Sequence, residues 1–230
     1  MKEVHGYYVP DSETRLDEIF RDTIALGRPA YQHHKLEAAL VLTKRRRNAI
    51  DVGSHIGMWS MQLLSHGFEH VYAFDPDPQK AACFTANLKA HTPALAGVSP
   101  GGFRHVTAYG VGLGDKRQNV SLVQKTDTTL KTHVKPDPAG SLQIVPLDEF
   151  AFRDIDFMKI DVEGFETFVV AGAEQTIRHN RPVIIVEQKK NVAAKRYGIG
   201  DRDALVLLEA WGYRVHAEFN GDFIMAPPTA

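Results

Sequence analysis

The run Ala49-Ile50-Asp51-Val52-Gly53-Ser54-His55-Ile56-Gly57 ends an apolar stretch on a carboxylate, breaks into a glycine-bearing turn and opens an apolar helix. A second short apolar stretch, Val71-Tyr72-Ala73-Phe74-Asp75, again ends on a carboxylate. A strand feeding a helix through such a turn sets backbone N–H groups against a ligand, and glycine admits close approach and unusual backbone angles. Asp75, at the tip of the neighbouring parallel strand, can accept hydrogen bonds from two ribose hydroxyls. Together these residues describe the front half of a nucleoside-cofactor site. The glycine spacing discriminates among cofactors. A pyrophosphate calls for G-x-G-x-x-G, whereas this loop reads D-x-G-x-x-x-G, with an acid where the first glycine should stand. An acidic loop repels phosphate and suits a cation, and S-adenosylmethionine carries both an ammonium and a sulfonium.

The other dense signal is Asp156-Phe157-Met158-Lys159-Ile160-Asp161-Val162-Glu163-Gly164-Phe165-Glu166. In an open parallel sheet the site lies at the carboxyl ends of the strands, so Asp161 and Glu163 should face it while Asp156 lies at the far end. Charges on a buried strand are costly unless paired, so the plainer alternative is a Lys159–carboxylate pair that serves architecture. Asp161, Glu163 and Glu187 are hard oxygen donors that could converge on a divalent cation. No His-x-x-x-His or paired-cysteine spacing supports zinc, and no metal is assigned.

The elements that must position these residues follow from periodicity. Leu16, Ile19, Phe20 and Ile24 recur at helical spacing within 12–26, and Leu36, Ala39 and Leu40 within 32–44. These two helices should pack on a sheet or cover the mouth of the site. From Ala49 onward strands and helices alternate, which argues for a mainly parallel sheet covered on both faces. Strands are expected at 48–52, 70–75, 104–111, 155–161 and 182–187. Helices are expected at about 57–66 and from Pro78, with Asp77 as N-cap. His91 to Gly102, rich in Pro, Gly and Ala, reads as a loop. Two β-rich stretches, Asn119–Gln124 and Ser141–Val145, flank the polar segment Thr126–Gly140, an insertion well placed to form an acceptor wall. A helix from Asp201 to Trp211, ended by Gly212, leads to a last strand pair at 213–218 and 222–226. The expected organisation is one domain over 1–230, with a helical extension at 1–45, a core at 46–230 and an insertion at about 116–146.

Composition narrows the partners. At 230 residues the chain has ample length for a full core. With 27 Lys+Arg against 28 Asp+Glu, the formal net charge of -1 supplies no global field toward nucleic acid or an anionic membrane. Lys44-Arg45-Arg46-Arg47 is most simply the solvated end of a helix. A single cysteine, Cys83, excludes an internal disulfide and reads as a core residue. The start shows no apolar signal region and no stretch approaches a membrane span, so a cytoplasmic location is the expectation.

The ordered motifs Asp51-Val52-Gly53-x-x-x-Gly57, Ala73-Phe74-Asp75-Pro76-Asp77-Pro78, Pro146-Leu147-Asp148-Glu149-Phe150, Met158–Glu166 and Arg181–Glu187 resemble those of the FkbM family of S-adenosylmethionine-dependent methyltransferases. The resemblance spans about 46–190. It implies a Rossmann-like class I methyltransferase fold, α/β, with a mainly parallel seven-stranded sheet, helices on both faces and an antiparallel last strand. It also implies O-methylation, typically of a sugar or small-molecule hydroxyl. Carried over by position, the resemblance implies that Asp51, Gly53, Ser54, His55, Gly57, Asp75, Pro76 and Asp161 would be the cofactor residues. Ser54-His55 departs from the Ala-Asn often found there, which leaves the turn intact but removes the usual asparagine.

A hydroxyl is a poor nucleophile at neutral pH, so a general base within hydrogen-bond reach helps methyl transfer. Asp161 is the first choice, with Glu163 and Glu187 next, Lys159 orienting one of them, and His133 in the insertion as an alternative. Two competing readings remain. A nucleic-acid or protein methyltransferase is supported only by the basic run and His33-His34-Lys35, and the Asn/Asp-Pro-Pro-Tyr/Phe element of base N-methyltransferases is absent. A non-catalytic cofactor-binding scaffold is the other.

Overall fold

Short apolar runs bounded by turn residues fold here as strands, and the longer 3.6-period segments between them as helices. The computed structural model describes residues 1–95, 98–99, 102–103, 105–125 and 128–228. A hairpin of β1 (Lys2–Val4) and β2 (Tyr7–Val9) precedes helices α1 (Leu16–Leu26) and α2 (His33–Leu40). Strand β3 (Asn48–Val52) leads into α3 (Met58–Ser65), and β4 (His70–Phe74) into α4 (Pro78–Leu95). A short pair, β5 (Val98–Ser99) and β6 (Gly102–Phe103), stands before β7 (His105–Tyr109). Next come β8 (Gly112–Leu113), β9 (Gln118–Lys125), β10 (Thr128–Pro136) and β11 (Leu142–Val145). The remainder is β12 (Ile155–Ile160), α5 (Glu166–Ala171), α6 (Glu174–Asn180), β13 (Val183–Glu187), α7 (Val192–Tyr197), α8 (Asp203–Ala210), β14 (Arg214–Phe219) and β15 (Asp222–Ala226).

Seven strands form the central sheet in the order β14-β15-β13-β12-β3-β4-β7. Strands β13, β12, β3, β4 and β7 run parallel, and β15 is antiparallel to both its neighbours, as the sequence led us to expect. The two-residue pleat divides the side chains cleanly. Ile50, Met158, Ile184 and Met225 join Val169, Ile177 and Leu205 of α5, α6 and α8 on one face. Ala49, Phe157, Val183 and Ile224 join Leu36, Leu63 and Leu64 of α2 and α3 on the other. Continuing the second set toward the carboxyl edge by steps of two reaches Asp51, Lys159, Glu187 and Asp222. The pleat therefore lines four charged residues along one face at the edge where a site forms.

Several expectations need correction. The extension at 1–45 is not purely helical, because His5 and Gly6 turn with positive φ of 52° and 79° and close the β1–β2 hairpin. Helix α4 continues past His91 to Leu95, where composition suggested a loop; His91 stacks on Tyr7 with ring centroids 4.2 Å apart, a long-range contact that fixes this turn. The rest of the expected 91–102 loop lies partly outside the described residues. Thr126–Gly140 is not merely a polar connection, since Thr128–Pro136 pairs antiparallel with β9. With β11 and β8 these strands form a second sheet in the order β10-β9-β11-β8. Helices α5, α6 and α7 were not anticipated. Cys83 is a free, buried core residue, as expected.

The basic run is also accounted for in part. Arg47 forks onto Asp156, with Nη2 to Oδ1 at 2.9 Å and Nε to Oδ2 at 3.2 Å, and also pairs with Asp154. Arg46 donates to the His66 carbonyl. Asp156 does sit at the far end of β12, anchored there by Arg47, while Arg46 ties down the end of α3.

Candidate active site

The loop after β3 is shaped by three left-handed residues, Gly53, His55 and Gly57, with φ of 79°, 52° and 91°. The amides of Gly53 and Ser54 both donate to the Phe74 carbonyl, at 2.9 and 3.1 Å, which ties the loop to the tip of β4. Gly53 has no room for a side chain, because a Cβ there would lie 1.9 Å from the Asp161 carbonyl oxygen. Asp75, at the end of β4, is 8% exposed and accepts the His55 amide on Oδ2 and the Asp77 amide on Oδ1, each at 3.0 Å. Burial raises its pKa, and Lys80, 4.0 Å away, pulls it back. A carboxylate has about four lone-pair sites, so two remain for a diol.

Gly53, Ser54, His55, Asp75 and Pro76 line a cavity of about 1170 Å³, counted to its open mouth. Lys159, Asp161, Glu163, Glu187 and His133 line it as well. The structure thus brings every catalytic candidate to the same cavity as the cofactor loop. Asp51 and Gly57 are not among its lining residues. Asp51 is fully buried behind the loop, where Oδ2 accepts from Ser60 Oγ at 2.7 Å and Oδ1 faces Lys159 Nζ at 3.9 Å. Gly57 is pressed against Phe84, whose ring would lie 2.2 Å from an added Cβ, so this glycine serves the packing of α3 on α4.

The charges at the strand ends are balanced in pairs. Lys159 Nζ lies 3.4 Å from Asp161 Oδ2 and 5.6 Å from the Trp59 ring centroid. Lys189 pairs with Glu187, Arg196 with Glu163 at 3.1 Å, and Lys35 with Asp222 at 2.5 Å. Burial pushes the carboxyls of these pairs upward, and neighbouring charges reverse it at Asp161 but not at Glu163, Glu187 or Asp222. For Asp161, burial pushes the pKa up, but Lys159, then Lys189 and Lys35, outweigh it and hold the carboxyl below its usual range. Glu187 is pushed well above its usual range by burial, with the Asp161 charge adding to it. Glu163 is raised by the same two causes, against Lys189 and Arg196. One oxygen from each of Asp161, Glu163 and Glu187 lies within 4.8 Å of the others. The trio therefore holds one firmly ionised carboxylate beside two biased toward the neutral form.

The second sheet roofs the cavity through Lys131, Thr132, His133 and Val134. It is tied down by Glu13, fully buried before α1, which accepts Thr129 N at 2.8 Å, Thr129 Oγ1 at 2.7 Å and Thr128 Oγ1 at 3.2 Å. Thr129 has one hydroxyl proton, and it goes to Glu13. The 2.7 Å contact between Thr129 Oγ1 and His55 Nε2 therefore has the histidine as donor. Burial, then Lys80 and Lys159, keeps His55 neutral, leaving its Nδ1 as an acceptor. His133 is likewise lowered by burial and by Arg196.

Sequence reasoning missed Tyr31, Trp59, Lys80 and Lys189 as lining residues. Lys189 follows Glu187 by two positions at a strand end and was findable by the rule that placed Glu187. Tyr31, in the α1–α2 connection, carried no local signal.

The motifs that build this loop and cluster match a family model, described as the methyltransferase FkbM domain, over residues 51–215. The chain belongs to the FkbM methyltransferase family. S-adenosylmethionine is the cofactor of this family, and the Rossmann-like class I architecture described above is its fold. Among solved structures, this FkbM chain is similar to a methyltransferase FkbM from Methylobacillus flagellatus, with 19% identity and a TM-score of 0.51, covering 90% of this chain and 52% of that one. The chain thus spans about half the length of that relative. It is also similar to an O-methyltransferase from Bacillus cereus solved in complex with SAH, with 16% identity and a TM-score of 0.50, covering 92% and 89%. At such identities the likeness concerns the fold. No curated protein matches the sequence. Among the described residues no helix is long and apolar enough to cross a membrane.

Proposed function

We propose that this FkbM domain binds S-adenosylmethionine between the Gly53–Gly57 loop and Asp75, and methylates a hydroxyl oxygen of a small molecule or sugar. The observation that carries the reading is the position of Asp161. Its backbone carbonyl backs directly onto Gly53 of the cofactor loop, while its ionised side chain reaches the same cavity. Methyl donor and proton acceptor are then neighbours. The fit to the cofactor rests on the left-handed Gly53 cradle and the two unused acceptor sites of Asp75, since Asp51, the acid of the loop, is buried behind it and paired. When bound, S-adenosylmethionine supplies an electrophilic methyl group.

Asp161 accepts the hydroxyl proton of the acceptor. Its low pKa makes it a weak base toward a free alcohol, but a hydroxyl gaining a carbon substituent becomes strongly acidic, so a carboxylate suffices late in the transfer. Lys159 keeps Asp161 ionised and aimed, Glu187 and Glu163 are the next candidate acceptors, and neutral His133 on the roof is the third. The roof and the Tyr31 connection exclude water and hold the acceptor in line, which supplies most of the rate enhancement expected of such a displacement. The alternative nucleic-acid reading loses support, because Arg47 is engaged at the amino end of β12, opposite the cavity, and Arg46 at the end of α3. Incubation with methyl-labelled S-adenosylmethionine and a panel of hydroxylated metabolites, sugars and glycans tests the proposal by product mass. Transfer only to protein or nucleic-acid acceptors would refute it.

A further inference from the structure

Glu166 is almost fully buried, at 1% exposure, and is not among the residues lining the cavity, yet it touches both strand ends that carry the site. After β12 the chain turns through Glu163 and Gly164, consecutive left-handed residues with φ of 58° and 102°. That conformation is strained for a side-chain-bearing residue, and the surrounding contacts must offset the strain. The amides of Val162 and Gly164 converge on Glu166 Oε1 at 3.1 and 2.9 Å, a nest of backbone N–H groups closed around an internal anion. Oε2 lies 3.4 Å from Gln188 Nε2. Gln188 in turn donates to the Glu187 carbonyl at 3.2 Å, accepts the Ala204 amide at 3.1 Å, and gives its own amide to Gly221 at 2.6 Å. One carboxylate thus links the turn bearing Asp161 and Glu163 to the strand end bearing Glu187 and Lys189.

We propose that Glu166 is a positioning residue of the active site, whose carboxylate holds the Asp161–Gly164 turn in its left-handed course and fixes the relative placement of Asp161, Glu163 and Glu187. Every partner it has is a donor, so the ionised form fits the nest and a proton would face donors. The turn backs onto the cofactor loop through the Asp161–Gly53 contact, so loosening it reaches the cofactor as well.

Burial, reinforced by Asp161, raises the Glu166 pKa to about 7, with the Gly164 and Val162 amides opposing. Titratable groups that interact with it include Asp161 after β12, Glu187 on β13 and the Tyr197 phenol on α7. The anchor is therefore released within the ordinary working range of an enzyme.

The cofactor arm of the test rests on the proposed function, and the second arm does not. Calorimetric titration with S-adenosylhomocysteine should show wild-type affinity weakening about threefold to tenfold from about pH 8 to pH 6, the scale of one ordinary net hydrogen bond. Glu166→Gln should be weak at both pH values, with no step. Unchanged affinity in that variant at pH 8, or the same pH step, overturns the proposal. Independently, hydrogen exchange of the Val162 and Gly164 amides in the wild-type protein, corrected for intrinsic rates, should lose protection across the same range. Constant protection overturns the proposal even if Glu166→Gln does not fold. Should S-adenosylhomocysteine not bind at any pH, the cofactor reading fails, and the amides alone decide the role of Glu166.

Discussion

Replacing Gly53 by alanine tests the joint between the cofactor loop and the base. Two costs add. The residue sits at φ of 79°, and a left-handed L-residue costs about 1 to 2 kcal/mol. The new Cβ would also lie 1.9 Å from the Asp161 carbonyl oxygen, where even a close C···O contact needs roughly 3.3 Å. The loop and the Asp161 turn must then part by roughly 1.4 Å, backbone against backbone, and overpacking of this kind costs about 1 to 3 kcal/mol more. The sum is about 2 to 5 kcal/mol, a large share of a typical domain's stability. Gly27 isolates the first term, because it is also left-handed, at φ of 63°, with nothing within 4 Å of an added Cβ. Urea unfolding should show Gly27→Ala losing about 1 kcal/mol and Gly53→Ala clearly more, with S-adenosylhomocysteine binding impaired only in the latter. If Gly53→Ala is as mild as Gly27→Ala and binds the ligand normally, the two segments are not in contact and the argument for Asp161 falls.

Asp161→Asn keeps shape and polarity but cannot accept the proton, so turnover should drop by about 10²- to 10⁴-fold with little change in cofactor affinity; a folded variant with wild-type turnover passes the role to Glu163, Glu187 or His133. Lys35 and Asp222 form a buried pair with side chains 9% and 5% exposed, so Lys35→Met alone should lose about 3 to 5 kcal/mol in denaturant unfolding, and Lys35→Met with Asp222→Leu should recover most of it. A neutral single variant would contradict the burial of that pair. For Glu166, a folded pKa near 7 against an unfolded value of 4.5 means that burying the ionised carboxylate costs global stability, a cost absent below about pH 4.5 and complete once pH has risen through 7, although the ionised form is the one that fits the nest. The stability difference between wild type and Glu166→Gln should therefore shift in favour of wild type by about 3 kcal/mol from pH 8 to pH 4.5, and a flat difference would place the carboxyl in contact with water.

Much of the fold was legible because each core strand is a short apolar run closed by a turn. Asn48–Val52, His70–Phe74 and Val183–Glu187 fall within a residue or two of their sequence-derived bounds. The cofactor turn was legible from glycine spacing, although Gly57 serves packing and Asp51 stands behind the loop. Strand β10 was hidden by its polarity. Its sequence, Thr-Thr-Leu-Lys-Thr-His-Val-Lys-Pro, does carry β-branched residues at intervals, and weighing these above hydropathy would have found it. Glu13 and Tyr31 were not legible at all. Glu13 acts on Thr129, 116 positions away, and a local pattern encodes no such partner. Glu166 lay in plain view within a matched motif, but its role depends on the left-handed turn at Glu163, which side-chain chemistry alone does not announce.

The central claim is that this cavity holds S-adenosylmethionine by the Gly53 loop and Asp75, and calorimetric titration of wild type and Asp75→Ala with S-adenosylhomocysteine tests it most directly. The account predicts a single site in the wild type, weakened in Asp75→Ala by about 1 to 3 kcal/mol through lost charge-assisted hydrogen bonds to the ribose. No binding of S-adenosylhomocysteine or S-adenosylmethionine to the wild-type protein, together with tight binding of a nicotinamide dinucleotide, would contradict it.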